Sequence, residues 1–303
     1  MARIILFLAA MVWLGTESYA CDQCGCALSN TFGLSQHHIG YRFRYRRLFM
    51  DFERSAQTDG PKHLGHLESE PDEVKELYYV HELFGNYHLG NGWSALVSLP
   101  LVNNYRSVDA STAADVYGFG DPWLMLRKQF KWSGKNSRLY LLMAGVGVKL
   151  PVGEVQRDYD GELMDLDMQP GSGSMDESFQ LFFQTEGKKW IFSSSQIFRF
   201  NGRGENDYRY GHALAASLEA GLELLDKEET RLYLTAGPYM EWMGNDAGSS
   251  DTYEKTLFAQ VGVRARYGSM VFQLNGQSTV AQDYGAGRIP TTQRVIVGVQ
   301  YDI

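Results

Sequence analysis

Strict alternation of apolar and polar side chains, sustained over ten or more residues and repeated to the end of the chain, constrains this sequence more than any other feature. Between Arg294 and Ile303, Val295, Val297, Val299, Tyr301 and Ile303 alternate with Arg294, Gly298, Gln300 and Asp302, and only Ile296 breaks the pattern. In TRLYLTAGPYMEW, Leu232, Leu234, Ala236, Pro238, Met240 and Trp242 share one face, and Arg231, Tyr233, Thr235, Tyr239 and Glu241 share the other. In TLFAQVGVRARY, Leu257, Ala259, Val261, Val263 and Ala265 oppose Gln260, Arg264 and Arg266. A period of two places successive side chains on opposite sides of a strand, so each strand lies between an apolar and a polar medium along its whole length.

Strand length decides which media these are. Strands of soluble sandwiches average about five or six residues, whereas a tilted strand needs about 9–11 to cross a bilayer. Twelve candidates appear, near residues 39–53, 75–89, 93–107, 116–131, 138–150, 177–186, 189–201, 208–224, 230–243, 255–267, 269–281 and 291–303. The connections after the even-numbered candidates are tight (GNG, KWSGKN, GKK, DKEE, GS), and those after the odd-numbered ones are mostly longer, the stretch from Pro151 to Asp176 being the longest. An even strand count with short turns on one side and long loops on the other predicts an all-β, closed antiparallel transmembrane β-barrel of about 12 strands, with its short turns and both termini in the periplasm. Tyr and Trp near strand ends (Trp93, Tyr140, Trp190, Tyr210, Trp242, Tyr267, Tyr301) fit interfacial girdles. A periplasmic β-sandwich with unusually long strands is the competing reading.

The front of the chain predicts export. Arg3 precedes an apolar run from Ile4 to Leu14, and Ser18-Tyr19-Ala20 ends a short polar stretch, so residues 1–20 read as a signal peptide cleaved after Ala20. Residues 21–38 form a short periplasmic head and 39–303 the barrel of a Gram-negative outer membrane. With 36 acidic against 28 basic side chains in 303 residues, a nucleic-acid partner is not expected.

All three cysteines, Cys21, Cys24 and Cys26, fall in the head. Cys-x-x-Cys is a spacing at which two thiolates clamp one metal; Cys26 adds a third sulfur and His37 or His38 a nitrogen, a set suited to Zn²⁺ or Cu(I). A disulfide with one thiol left over, redox chemistry, and lipidation of Cys21 remain open beside metal binding, as does docking of a periplasmic partner on the head. Covalent haem is excluded because Gly25 stands where Cys-x-x-Cys-His requires histidine.

The segments VSLPLVNNYR, YGFGDPWLMLRKQF and GVGVKLPVGE resemble the outer-membrane transporter-like family first associated with the meta-cleavage pathway of phenol degradation. The resemblance covers roughly residues 40 to 303, implies a barrel loosely similar to channels for hydrophobic compounds, and supplies no catalytic residue. The head also looks like that of exported barrels beginning C-x-x-C-G-C.

Polar positions are expected to line a lumen. On the first strand Arg42, Arg44 and Arg46 share one face and need partners or water; Glu82, Glu219 and Glu241 are inward candidates, and Arg264 is another. Such residues either form a pore-selectivity element or fill a narrow barrel with ion pairs. Residues 151–178 carry Glu154, Asp158, Asp160, Glu162, Asp165, Asp167, Asp176 and Glu177, with Met164, Met168 and Met175 interspersed; the expectation is a solvated acidic rim, with a metal-collecting rim as the sharper alternative. An enzyme is not expected. Ser278 has no histidine on a neighbouring strand to activate it, and His81, His88 and His212 stand alone.

Overall fold

The computed structural model describes residues 37–51, 72–134, 138–204, 207–285 and 288–303. The signal segment and Cys21, Cys24 and Cys26 lie outside the described residues. Thirteen long strands form the wall: β1 His38–Asp51, β2 Glu73–Gly90, β3 Trp93–Val108, β4 Ser111–Phe119, β5 Trp123–Ser133, β6 Leu139–Lys149, β9 Asp176–Glu186, β10 Trp190–Phe200, β11 Ala213–Lys227, β12 Thr230–Met243, β13 Glu254–Tyr267, β14 Met270–Tyr284 and β15 Thr291–Asp302. A two-stranded ribbon, β7 Asp158–Tyr159 and β8 Glu162–Leu163, lies in the longest loop.

Every pairing in the wall is antiparallel, and β1 closes the ring by pairing with both β2 and β15. β4 and β5 occupy one position in that ring. β3 pairs with β4 over Leu101–Val108 and with β5 over Trp93–Ser98. The wall therefore has twelve positions, and it is the closed all-β antiparallel barrel that the alternation predicts.

Two boundaries depart from the sequence reading. The predicted strand 116–131 is broken between β4 and β5, where Pro122 supplies no N–H. Instead Asp121 turns inward and accepts hydrogen bonds from Gly153 N (2.9 Å) and Ser172 N (2.8 Å). The connection expected after residue 107 is a two-residue turn: Asp109 and Ala110 take left-handed φ values of 48° and 63°, and β3 runs straight into β4. Alanine is not a residue that signals such a turn, so the strands extend further than their composition suggests.

The two faces separate cleanly. Leu83, Leu99, Leu126, Val146, Leu218, Leu234, Val261, Leu274 and Val297 all stand exposed on the outside of the wall. A closed ring leaves no strand edge for lipid to meet, and an apolar outer face needs no water. This is the architecture of bacterial outer-membrane barrels. Trp93, Trp190, Tyr267 and Tyr301 are exposed near the strand ends on the short-turn side, where a girdle belongs. Tyr210 is not part of a girdle; it is buried in the segment between β10 and β11. Ile296, the residue that breaks the alternation of β15, is buried inside.

Candidate pore and its constriction

The inward face of β1 presents His38, Gly40, Arg42, Arg44 and Arg46, because Ile39, Tyr41, Phe43 and Tyr45 take the outer face. Arg42 and Glu82 are directly opposed in the β1–β2 register. Arg42 donates to both carboxylate oxygens of Glu82, from Nη2 at 2.7 Å and from Nε at 3.1 Å. Arg44 stands 3.6 Å from the same carboxylate, and Ser98 Oγ also donates to it. Arg46 reaches across the seam to Glu254 (3.2 Å) and Thr291 Oγ1 (2.9 Å) instead.

Glu241 and Arg264 also point inward, but each finds a partner away from β1. Glu241 is paired with Arg294 and accepts from Tyr239 Oη at 2.6 Å. Arg264 is 3.1 Å from Glu219, which also accepts from Gln260 Nε2 at 2.9 Å. Glu254 and Arg294 complete two of these pairs and were not singled out in the sequence. Their inward placement follows from the period of their strands, but their choice of partner depends on how the ring closes.

At mid-height an apolar layer crosses the bore: Phe84, Leu96, Trp123, Met125, Ile197 and Val271 form one buried cluster. Gly40 is required here, since a Cβ at that position would come within 2.3 Å of the Phe84 ring and 2.8 Å of Val299 O. The polar residues around this layer, including Arg42, Glu82, Ser98, Gln180, Ser195 and Gln300, are almost without solvent exposure. The mid-section is thus packed with side chains. Below it, on the short-turn side, a cavity of about 660 Å³ opens between charged and aromatic walls that include Lys131, Tyr140, Glu186, Tyr233, Arg264 and Arg266.

The long segment after β6 is a solvated acidic rim only in part: Asp158, Asp160, Glu162 and Asp165 are exposed, but the stretch from Met168 to Ser172 is buried. It folds into the opposite mouth of the barrel. Met168, fully buried, packs with inward residues Leu48, Met50, Val74, Tyr78, Ala114 and Val116. Asn104 Nδ2 donates to Met168 O at 3.1 Å, and Gln169 ties the loop to itself by donating to Arg157 O (2.9 Å) and Met164 O (2.8 Å). Three of its carboxylates pair with cations of the wall and of another loop: Asp165 with Arg106 (2.7 Å), Asp167 with Arg288 (3.5 Å), and Asp176 with its cross-strand neighbour Lys149 (2.5 Å). Lys149 also faces Asp121 at 3.5 Å and donates to Ser172. All four of these side chains are buried, so the cluster latches the loop to the break between β4 and β5. Met164 is only packed against the cluster and Met175 is exposed, so the three methionines do not converge on an ion.

The connections β10–β11, β12–β13 and β14–β15 on that side meet at Asp246, which accepts from Tyr208 Oη (2.6 Å), Gly211 N (2.9 Å) and Arg288 Nη2 (2.8 Å). Burial, reinforced by the Asp246 carboxylate, raises the Tyr208 phenol well above its ordinary pKa. His212 lies against Phe200 and accepts from Asn201 N, and burial, followed by the charge of Arg209, lowers its pKa. His81 faces outward and hydrogen-bonds Tyr41 Oη at 2.6 Å.

His37 and His38 diverge. The His37 ring packs on Tyr87 and accepts from His88 N at 3.2 Å, while His38 is buried inside the wall against Phe84. Among the described residues no three His, Cys, Asp or Glu side chains gather as metal ligands.

No family model matches the chain, and no curated protein matches it. Solved structures do. The COG4313 outer membrane channel from Pseudomonas putida F1 aligns over 90% of this chain and 97% of its own with a TM-score of 0.60, at 16% identity. The β domain of the Bordetella autotransporter BrkA aligns over 89% of this chain and 100% of its own at 12% identity with a TM-score of 0.48. The translocator domain of the autotransporter NalP from Neisseria meningitidis aligns over 91% of each chain at 11% identity with a TM-score of 0.44. At 16% identity the first likeness concerns the fold, and it agrees with the closed barrel described above.

Proposed function

We propose that this barrel is an outer-membrane channel that passes a small solute, and that the segment between β6 and β9 sets how wide it opens. The observation that carries the reading is the latch. A tightly packed barrel needs no loop in its mouth, yet here that loop fills the lumen through Met168 and is fastened by the buried cluster of Asp121, Lys149, Ser172 and Asp176, by Asn104, and by the pairs Arg106–Asp165 and Arg288–Asp167. A cavity of about 660 Å³ leads up to the packed layer from the other side. The likeness to a channel fold supports the same direction, and the solute class implied by the resemblance to the phenol-degradation family is a small hydrophobic compound.

The second reading is a barrel that serves as a docking or structural element without transport. The near-complete burial of the mid-lumen side chains favours it. On either reading the cysteine head is a periplasmic metal-binding or redox clip, for a Zn or Cu ion if it is a metal site. Because His38 is taken up inside the barrel, His37 is the histidine left to join Cys21, Cys24 and Cys26.

Lys149→Met tests the choice. Losing one member of a buried ionic cluster leaves uncompensated carboxylates and costs about 3–5 kcal/mol, enough to loosen a loop that this cluster helps to hold in the mouth. Proteoliposomes carrying the variant should swell several-fold faster in small neutral solutes than those carrying the wild type, with heat-modifiable migration retained. If both remain impermeable while the variant loop becomes protease-sensitive, the docking reading replaces the channel.

A further inference from the structure

Six arginines project into the lumen from β1, β13 and β15: Arg42, Arg46, Arg264 and Arg294 each lie within salt-bridge distance of a glutamate, Arg44 shares Glu82 with Arg42, and Arg266 pairs with Asp302. Arg127, midway along β5, is different. It faces Ser94 on β3 and Gly145 on β6, and it is 2% exposed. Gly145 makes room for it, since a Cβ there would come within 3.1 Å of Arg127 Cγ. The guanidinium donates from Nε to Met125 Sδ at 3.3 Å, a weak and neutral acceptor, and Nη2 has no hydrogen-bond partner. Among the described residues no carboxylate pairs with Arg127, and the charge that acts on it is the like charge of Arg42.

A buried, unpaired guanidinium is costly, and arginine does not shed its proton at neutral pH. The neighbouring row of the lumen offers further donors. Gly145 opposes Gln180, which opposes Ile197; Ser178 and Ser195 flank this row, and each carries a buried hydroxyl without a partner. We infer that the lumen holds a binding site for a compact monoanion, an inorganic halide or a small carboxylate, centred on Arg127. The bound anion supplies the charge that the wall does not, and the packed apolar layer of Phe84, Leu96, Trp123 and Met125 limits its size. In a conducting barrel this site favours anions over cations. That last step rests on the channel reading; the binding does not.

The test has two arms on the full chain. In the first, the thermal midpoint of the heat-modifiable band is followed in potassium gluconate as chloride, or separately formate, replaces gluconate at constant ionic strength. The wild-type midpoint should rise, Arg127→Met should start higher in gluconate and stay flat, and Arg127→Lys should keep a weaker rise. A response to chloride and formate alike identifies a general anion site, and a response to formate alone a carboxylate site. In the second arm, reversal potentials in a KCl gradient should show anion preference in the wild type, with the permeability ratio falling several-fold toward one in Arg127→Met. A wild-type midpoint that is indifferent to both anions, or an Arg127→Met variant that responds as the wild type does, overturns the site. Anion-dependent midpoints without any current keep the site and overturn the channel.

Discussion

Glu241→Ala is expected to destabilise the barrel by about 3–5 kcal/mol, the cost of leaving a buried charge without its partner. Glu241 is 1% exposed, paired with Arg294 and hydrogen-bonded by Tyr239, and Arg294 lies 4.7 Å from the Phe258 ring centroid, with apolar surroundings on that side. Removing both charges leaves no unpaired charge at this position, so Glu241→Leu combined with Arg294→Met should recover most of the loss. Equilibrium urea unfolding in detergent, read as the conversion of the heat-modifiable band, measures both. Losses that simply add in the double variant would mean that the two side chains do not act as a unit.

On the opposite face the sign of the environment reverses. Val261→Arg and Val297→Arg should each cost about 2–4 kcal/mol if they lie near the bilayer midplane. Both valines stand outward in mid-strand, Val261 between Ala236 and Gly276, and Val297 between Phe43 and Leu274. The same charge placed at Ser269, in the two-residue turn before β14, should change stability by no more than about 0.5 kcal/mol. Reversible unfolding in lipid vesicles separates the cases, and equal effects at Val261 and Ser269 would contradict a lipid-facing Val261.

The wall was legible because its signal is local. Each strand carries its own apolar–polar alternation, and neither a partner nor a distant contact is needed to read it. The pairs within the lumen were only half legible. Period two turns Glu82, Glu241, Arg42 and Arg264 inward, but which arginine meets which glutamate follows from shear and closure: Arg46 finds Glu254 across 208 residues of chain. The inward loop was illegible for the same reason. Of the eight acidic residues that read as solvated, Asp158, Asp160, Glu162, Asp165 and Glu177 are exposed, but the cations that pair with Asp165, Asp167 and Asp176 come from β3, β6 and the segment before β15. Arg127 carries no sequence signal at all, because lacking a partner is a property of the assembled lumen. A cue was present at Gly120-Asp121-Pro122, where a proline in the middle of a predicted strand argues for a break.

The measurement that bears most directly on the central claim is the single-channel current of the purified full-length mature chain in a planar bilayer. Small, discrete steps are expected for the wild type, since Met168 and the mid-lumen layer narrow the bore. Larger and longer openings are expected for Lys149→Met at the same protein density. An insulating bilayer with both proteins, each inserted and heat-modifiable, would contradict a channel.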